Sequence, residues 1–73
     1  MDYVFGIDVG GTTIKIGLFD TSGVLLEKWE IPTRTEKNGC WILPDIANSL
    51  RQKMEHRGIQ TSMVKGAGIG VPG

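Results

Sequence analysis

The spacing of apolar positions changes period along this chain. Residues 3–9 read Tyr-Val-Phe-Gly-Ile-Asp-Val, an aromatic and β-branched run that is nearly continuous rather than cleanly alternating. Such a run predicts a central strand buried on both faces. Gly10-Gly11 interrupts it, and residues 13–19, Thr-Ile-Lys-Ile-Gly-Leu-Phe, resume as a second strand. Asp20-Thr21-Ser22-Gly23 is a polar turn ending in glycine. Residues 24–31 form a third strand, and the short connections predict an antiparallel meander. Pro32 ends that strand, and residues 33–39 are polar and read as loop. From Trp41 the period becomes helical, with Ile42, Leu43, Ile46, Ala47, Leu50 and Met54 recurring at helical spacing. A helix over 42–57 places Pro44 in the first turn, where its missing N–H costs nothing. Arg51, Lys53, His56 and Arg57 then lie toward the negative end of the helix dipole, and Gly58 is a natural stop. Residues 63–71 read as a fourth strand, and the helix before it makes a parallel return possible. The expectation is an α/β chain with element order β-β-β-α-β and a mixed sheet.

One helix covers one face of a four-stranded sheet, whereas the first strand asks for cover on both. We therefore expect residues 1–73 to be the N-terminal portion of a first lobe in a longer protein. The alternative is a small complete domain that buries its second face by dimerising. The length of 73 residues is short for an independent domain, and the 40% apolar content falls in the globular range. Eight basic residues balance eight acidic ones, which gives no general attraction to nucleic acid or to an acidic membrane. Cys40 is the single cysteine, so an internal disulfide is excluded, and with His56 alone it cannot build a structural zinc site. No apolar run approaches the roughly 18 residues of a membrane span, and no signal-like segment precedes Tyr3. A cytoplasmic location is the expectation.

The segment Asp8-Val9-Gly10-Gly11-Thr12-Thr13-Ile14-Lys15 concentrates the candidate chemistry. Two glycines between strands can take positive φ and let a ligand approach the backbone. Successive N–H groups in such a turn form an anion-binding nest. Thr12 and Thr13 add hydroxyls, and Lys15 brings a cation to offset phosphate charge. Asp8, at the end of the first strand, would repel phosphate unless it holds Mg²⁺ directly or through water. Each part also has a plain reading, since a glycine pair makes turns and a strand lysine keeps an edge soluble. No P-loop sequence is present. Gly68-x-Gly70-x-x-Gly73 matches a dinucleotide fingerprint only formally, because its glycines begin inside a strand and Pro72 interrupts. Trp29 and Trp41 read as packing, Met54 and Met63 as core filler, and His56 and Cys40 as incidental to any site.

The combination of Asp8, Gly10, Gly11, Thr12, Lys15, Gly17 and Asp20 resembles the first phosphate motif of the sugar kinase, heat-shock ATPase and actin superfamily. Within it, the chain looks most like the ROK family, which includes bacterial glucokinases and kinases of related hexoses and N-acetylhexosamines. A second match is Gly68-Ile69-Gly70-Val71-Pro72-Gly73, similar to the family's Gly-x-Gly-x-Pro-Gly segment. The resemblance implies a ribonuclease H-like (actin-like ATPase) fold. It also implies ATP phosphates at Gly10, Gly11, Thr12 and Thr13 and sugar near Pro72 and Gly73. With Lys15 and a Mg²⁺-holding Asp8 from the residue chemistry above, the expected cofactor-binding set is Asp8, Gly10, Gly11, Thr12, Thr13 and Lys15. The family's general-base aspartate, second phosphate motif, adenosine motif and zinc loop lie beyond residue 73, so no catalytic residue is assigned.

The implied activity of the full-length protein is ATP-dependent phosphorylation of a hexose, most directly glucose. The implied partners are sugar and nucleotide, with neither nucleic acid nor membrane, in a homo-oligomer. An N-acetylated hexose is the alternative substrate. A non-enzymatic sugar-responsive regulator of the same family is the alternative function. The short lead before Tyr3 argues against the DNA-binding module that family repressors carry in front.

Overall fold

The computed structural model describes residues 2–70, apart from the Lys37 side chain. Three strands open the chain: β1 (Tyr3–Val9), β2 (Thr13–Asp20) and β3 (Leu25–Pro32). A four-residue helix α1 (Glu36–Gly39), the long helix α2 (Ile42–Arg57), a 3₁₀ turn (Thr61–Met63) and β4 (Val64–Gly70) follow. The sheet order is β3-β2-β1-β4, with β1 antiparallel to β2, β2 antiparallel to β3, and β1 parallel to β4. This is the expected β-β-β-α-β order and mixed sheet of a ribonuclease H-like, actin-type N-terminal domain.

Several details depart from the sequence reading, among them β3, which lies one residue later than 24–31 and includes the Pro32 expected to end it. The loop after β3 contains α1, closed by Gly39 N–H on the Thr35 carbonyl at 3.2 Å and left through positive φ at Asn38 and Gly39. The fourth strand begins at Val64, because the 3₁₀ turn takes up Met63; Val71 lies outside the described residues.

Side-chain alternation sorts the sheet into two faces. Phe5, Ile7, Ile14, Ile16 and Leu18 point to the α2 side and are buried together with Ile46 and Ile59. From α2, Ile42, Leu50 and Met54 pack against that cluster, as the helical spacing predicts. Trp29 joins sheet to helix: its ring meets Phe5 edge-on at 6.4 Å, and its Nε1 donates to Ser49 Oγ at 2.8 Å. Lys53 lies over the same indole at 4.7 Å and bonds Glu27, which also takes Arg57 at 2.9 Å. The helix ends at Gly58 in the left-handed region (φ 69°). There Ile59 N–H bonds the Met54 carbonyl and Gly58 N–H bonds that of Glu55. This pair of bonds satisfies the last helical carbonyls and turns Ile59 back into the core.

The register between β2 and β3 carries one irregularity. Phe19 pairs with Leu25, but Leu18 pairs with Glu27, so Leu26 is an extra residue and every later β3 position is offset by one. The offset brings Pro32 opposite Thr13 and the residue after it opposite Thr12.

Candidate functional site

The turn between β1 and β2 sits where the sheet's central pair ends, at Val9 opposite Ile14. Gly10 N–H donates to the Thr13 carbonyl at 2.9 Å. A closed two-residue hairpin would return a second bond, from Thr13 N–H to the Gly10 carbonyl. That bond is missing here, and the Gly10 carbonyl instead accepts the Thr33 hydroxyl at 2.9 Å. Thr33 N–H donates in turn to the Thr12 carbonyl at 3.0 Å. Among the described residues, the N–H groups of Gly11 and Thr12 have no acceptor either. Three successive backbone donors are thus left open at an exposed turn, the arrangement that accommodates an anion.

The two glycines serve different ends, and neither takes the positive φ that the sequence suggests. A Cβ on Gly10 would stand 2.8 Å from the Thr13 carbonyl oxygen, so the turn itself demands glycine there. A Cβ on Gly11 would meet nothing within 4 Å. The fold places no demand on Gly11; what glycine provides there is bare backbone facing outward.

Asp8 and Lys15 are register partners on the face opposite α2, and both side chains are exposed. Among the described residues Asp8 makes no ion pair or side-chain hydrogen bond. The two side chains flank a shallow trough of about 300 Å³, floored by Gly6 and Gly17 and bounded by Phe19, Leu25 and Lys28. A single carboxylate next to open backbone donors is a set that could hold Mg²⁺ together with a bound phosphate, since Mg²⁺ keeps several waters and is commonly bound through one or two carboxylates plus phosphate oxygens. No cluster of three metal-ligating side chains occurs among the described residues, so a protein-only metal cage is not what the site offers.

Asp20 has a different task from the rest of the motif. Its carboxylate accepts the Ser22 hydroxyl at 2.6 Å and the N–H groups of Ser22 and Val24. The Ser22 hydroxyl first, then the Val24 N–H, hold it below the usual carboxylate range. It organises the β2–β3 turn, and with Gly23 at φ 93° sets the start of β3.

The structure therefore gathers Asp8, Gly10, Gly11, Thr12, Thr13 and Lys15 at one end of β1 and β2. Pro72 and Gly73 lie outside the described residues. Thr33 is the residue that sequence reasoning left in a polar loop. The signal that would have found it is the length of the β2–β3 hairpin, blurred by the unforeseen bulge at Leu26.

Comparison with known proteins gives the geometry a lineage. No family model matches the chain. A curated glucokinase from Halalkalibacterium halodurans is 41% identical over 68 residues, covering 93% of this chain and 21% of that protein. Among solved structures, a ROK family glucokinase from Streptomyces griseus, in complex with glucose and AMPPNP, superposes with a TM-score of 0.70 at 30% identity. The match covers 97% of this chain and 20% of that one. A Cytophaga hutchinsonii protein with a provisional sugar-kinase assignment gives 0.68 at 31% identity, over 97% of this chain and 22% of that one. The chain thus spans about a fifth of the length of the relatives it matches. Over these roughly 70 residues the chain is a homologue of the N-terminal segment of the ROK-family, glucokinase-like sugar kinases.

Proposed function

We propose that this chain is the N-terminal part of the first lobe of a longer ATP-dependent hexose kinase, with glucose as the preferred acceptor. The observation that carries the proposal is the turn at residues 10–13, where the N–H groups of Gly11, Thr12 and Thr13 have no acceptor among the described residues. Open backbone donors hold phosphate oxygens without the cost of reorganising at the moment of transfer. The homology supplies the chemistry: the Streptomyces griseus relative was crystallised with glucose and AMPPNP.

In this reading residues 10–13 wrap the nucleotide phosphates and Lys15 offsets their charge. Asp8 would hold Mg²⁺, directly or through water, and the ion would neutralise charge on the transferring phosphoryl group. Pro72 and Gly73 would approach the sugar. The group that accepts the hydroxyl proton lies elsewhere in the protein. The location is cytoplasmic, where ATP and free hexose meet; no helix among the described residues is long and apolar enough to cross a membrane. The assembly is a homo-oligomer.

The test is a coupled ADP-release assay on the full-length protein across a panel of hexoses and N-acetylhexosamines. Turnover with glucose, lost in Asp8→Ala with folding retained, is the expected result. Sugar binding without any ADP release would make the protein a sugar-responsive regulator and overturn the kinase reading.

A further inference from the structure

We infer that Thr33 is a positioning residue for the phosphate turn, holding it open so that its N–H groups face a ligand. The inference rests on the phosphate reading of residues 10–13 and adds a residue that contributes no atom to that turn. Two contacts fix it: the Thr33 hydroxyl donates to the Gly10 carbonyl at 2.9 Å, and Thr33 N–H donates to the Thr12 carbonyl at 3.0 Å. All described peptide bonds are trans. In a planar trans peptide the C=O and the next residue's N–H point in opposite directions. Drawing the carbonyls of Gly10 and Thr12 toward Thr33 therefore turns the N–H groups of Gly11 and Thr13 away from it, to the same side. The negative ends of two peptide dipoles are held back, and their positive ends are presented together. An anion-binding turn requires this polarity.

The hydroxyl also settles a competition. The Gly10 carbonyl has a second suitor, Thr13 N–H, whose bond would close the hairpin in the ordinary way and consume one of the three donors. The oxygen has lone pairs enough for both, so what excludes the closing bond is orientation: the carbonyl is turned toward the Thr33 hydroxyl, and no bond from Thr13 N–H forms.

Thr33 reaches this place because of the bulge at Leu26. In the register before the bulge, where Phe19 faces Leu25, a regular hairpin would bring Pro32 opposite Thr12. Proline has neither the N–H nor the hydroxyl that these two bonds use. The extra residue advances β3 by one, moves Pro32 to the position opposite Thr13, and delivers Thr33 to the turn. Half-burial of Thr33 shields its bonds from competing water.

The test uses the full-length protein and Mg-ADP as the probe. Thr33→Val should weaken Mg-ADP binding by roughly five- to tenfold, the worth of one hydrogen bond. It should raise the KM for Mg-ATP in parallel and leave the KM for sugar unchanged. Thr33→Ser, which keeps the hydroxyl, should restore most of the affinity. Wild-type affinity in Thr33→Val, or equal loss in both variants, would overturn the role of the hydroxyl. Amide exchange on the unmodified protein gives a readout independent of either variant's folding. Thr13 N–H should exchange freely without ligand and become protected by Mg-ADP. Protection of Thr13 in the ligand-free protein would mean a closed turn and overturn the inference while the phosphate reading stands. Failure of the unmodified protein to bind Mg-ADP at all would overturn both.

Discussion

On the face of the sheet toward α2, Phe5, Ile7, Ile14, Ile16 and Leu18 are sealed by a helix. On the opposite face the same strands, with β4, carry Gly6, Gly17, Gly66 and Gly68, then Asp8 and Lys15 at the end nearest the turn. The first face is defined by what fills it, the second by side chains that are missing. Phe19 and its register partner Val4 are exceptions, the Phe19 ring lying against both Gly6 and Gly17. The difference separates two kinds of constraint. Changes on the helix side act through lost packing; changes around the turn act through the backbone and what it can bind.

The largest expected effect is on the packed face. Ile16→Ala removes a side chain that is 1% exposed and should cost about 2–5 kcal/mol in denaturant unfolding of the full-length protein. Its neighbour Lys15, pointing the other way, should tolerate alanine within about 0.5 kcal/mol. Equal costs at the two positions would break the division into faces.

Next in size is Gly10→Ala. Its Cβ would meet the Thr13 carbonyl, which is backbone and cannot step aside, so we expect a loss of about 1–3 kcal/mol with distortion of the turn. The melting temperature beside that of the unmodified protein is the check.

These two expectations show where the sequence was informative. The run of β1, the helical spacing from Ile42 and the stop at Gly58 each lie where the pattern indicates. But β1, expected to be buried on both faces, is buried on the α2 side alone among the described residues, with Val4 and Gly6 half-buried and Asp8 exposed on the other. The turn between β1 and β2 was legible too, since adjacent glycines between two strands mark a turn; its use as a phosphate site is the proposal made above. What stayed hidden is non-local. Thr33 reaches Gly10 across 23 residues, and its register depends on one extra residue at Leu26, which no periodicity announces. Of the two reasons the sequence offers for Gly11, positive φ is not observed, while the open backbone that would let a ligand approach is.

A smaller effect sharpens the comparison on the glycine face. Gly17→Ala would press on the Phe19 ring at 2.9 Å, which can shift, for a cost of about 1 kcal/mol. Gly68→Ala meets nothing within 4 Å among the described residues and should stay within about 0.5 kcal/mol. A larger cost at Gly68 in the full-length protein would show that another segment is seated on this face.

The smallest effect is acid sensitivity at the rim of the helix. Asp45 is lowered by hydrogen bonding to Arg34, whose guanidinium makes contacts of 2.5 and 2.7 Å and also lies over Trp41 at 4.7 Å. Glu27 is lowered by Lys53 and then Arg57. A depressed carboxylate stabilises the fold above its unfolded pKa and loses that contribution as pH falls through the folded value. Both pairs should therefore be intact at neutral pH and fade below the ordinary carboxylate range. Arg34→Ala should flatten part of that decline in a pH series of melting temperatures.

As a phosphate site, the turn at residues 10–13 would have its second glycine there for the ligand rather than for the fold. Calorimetric titration of Mg-ADP into the full-length protein and into Gly11→Ala tests it most directly. In Gly11→Ala an unchanged melting temperature without ligand and an affinity lower by tenfold or more, about 1.4 kcal/mol, are expected. Equal affinity in the two proteins, or a variant that loses stability and binding together, would contradict it.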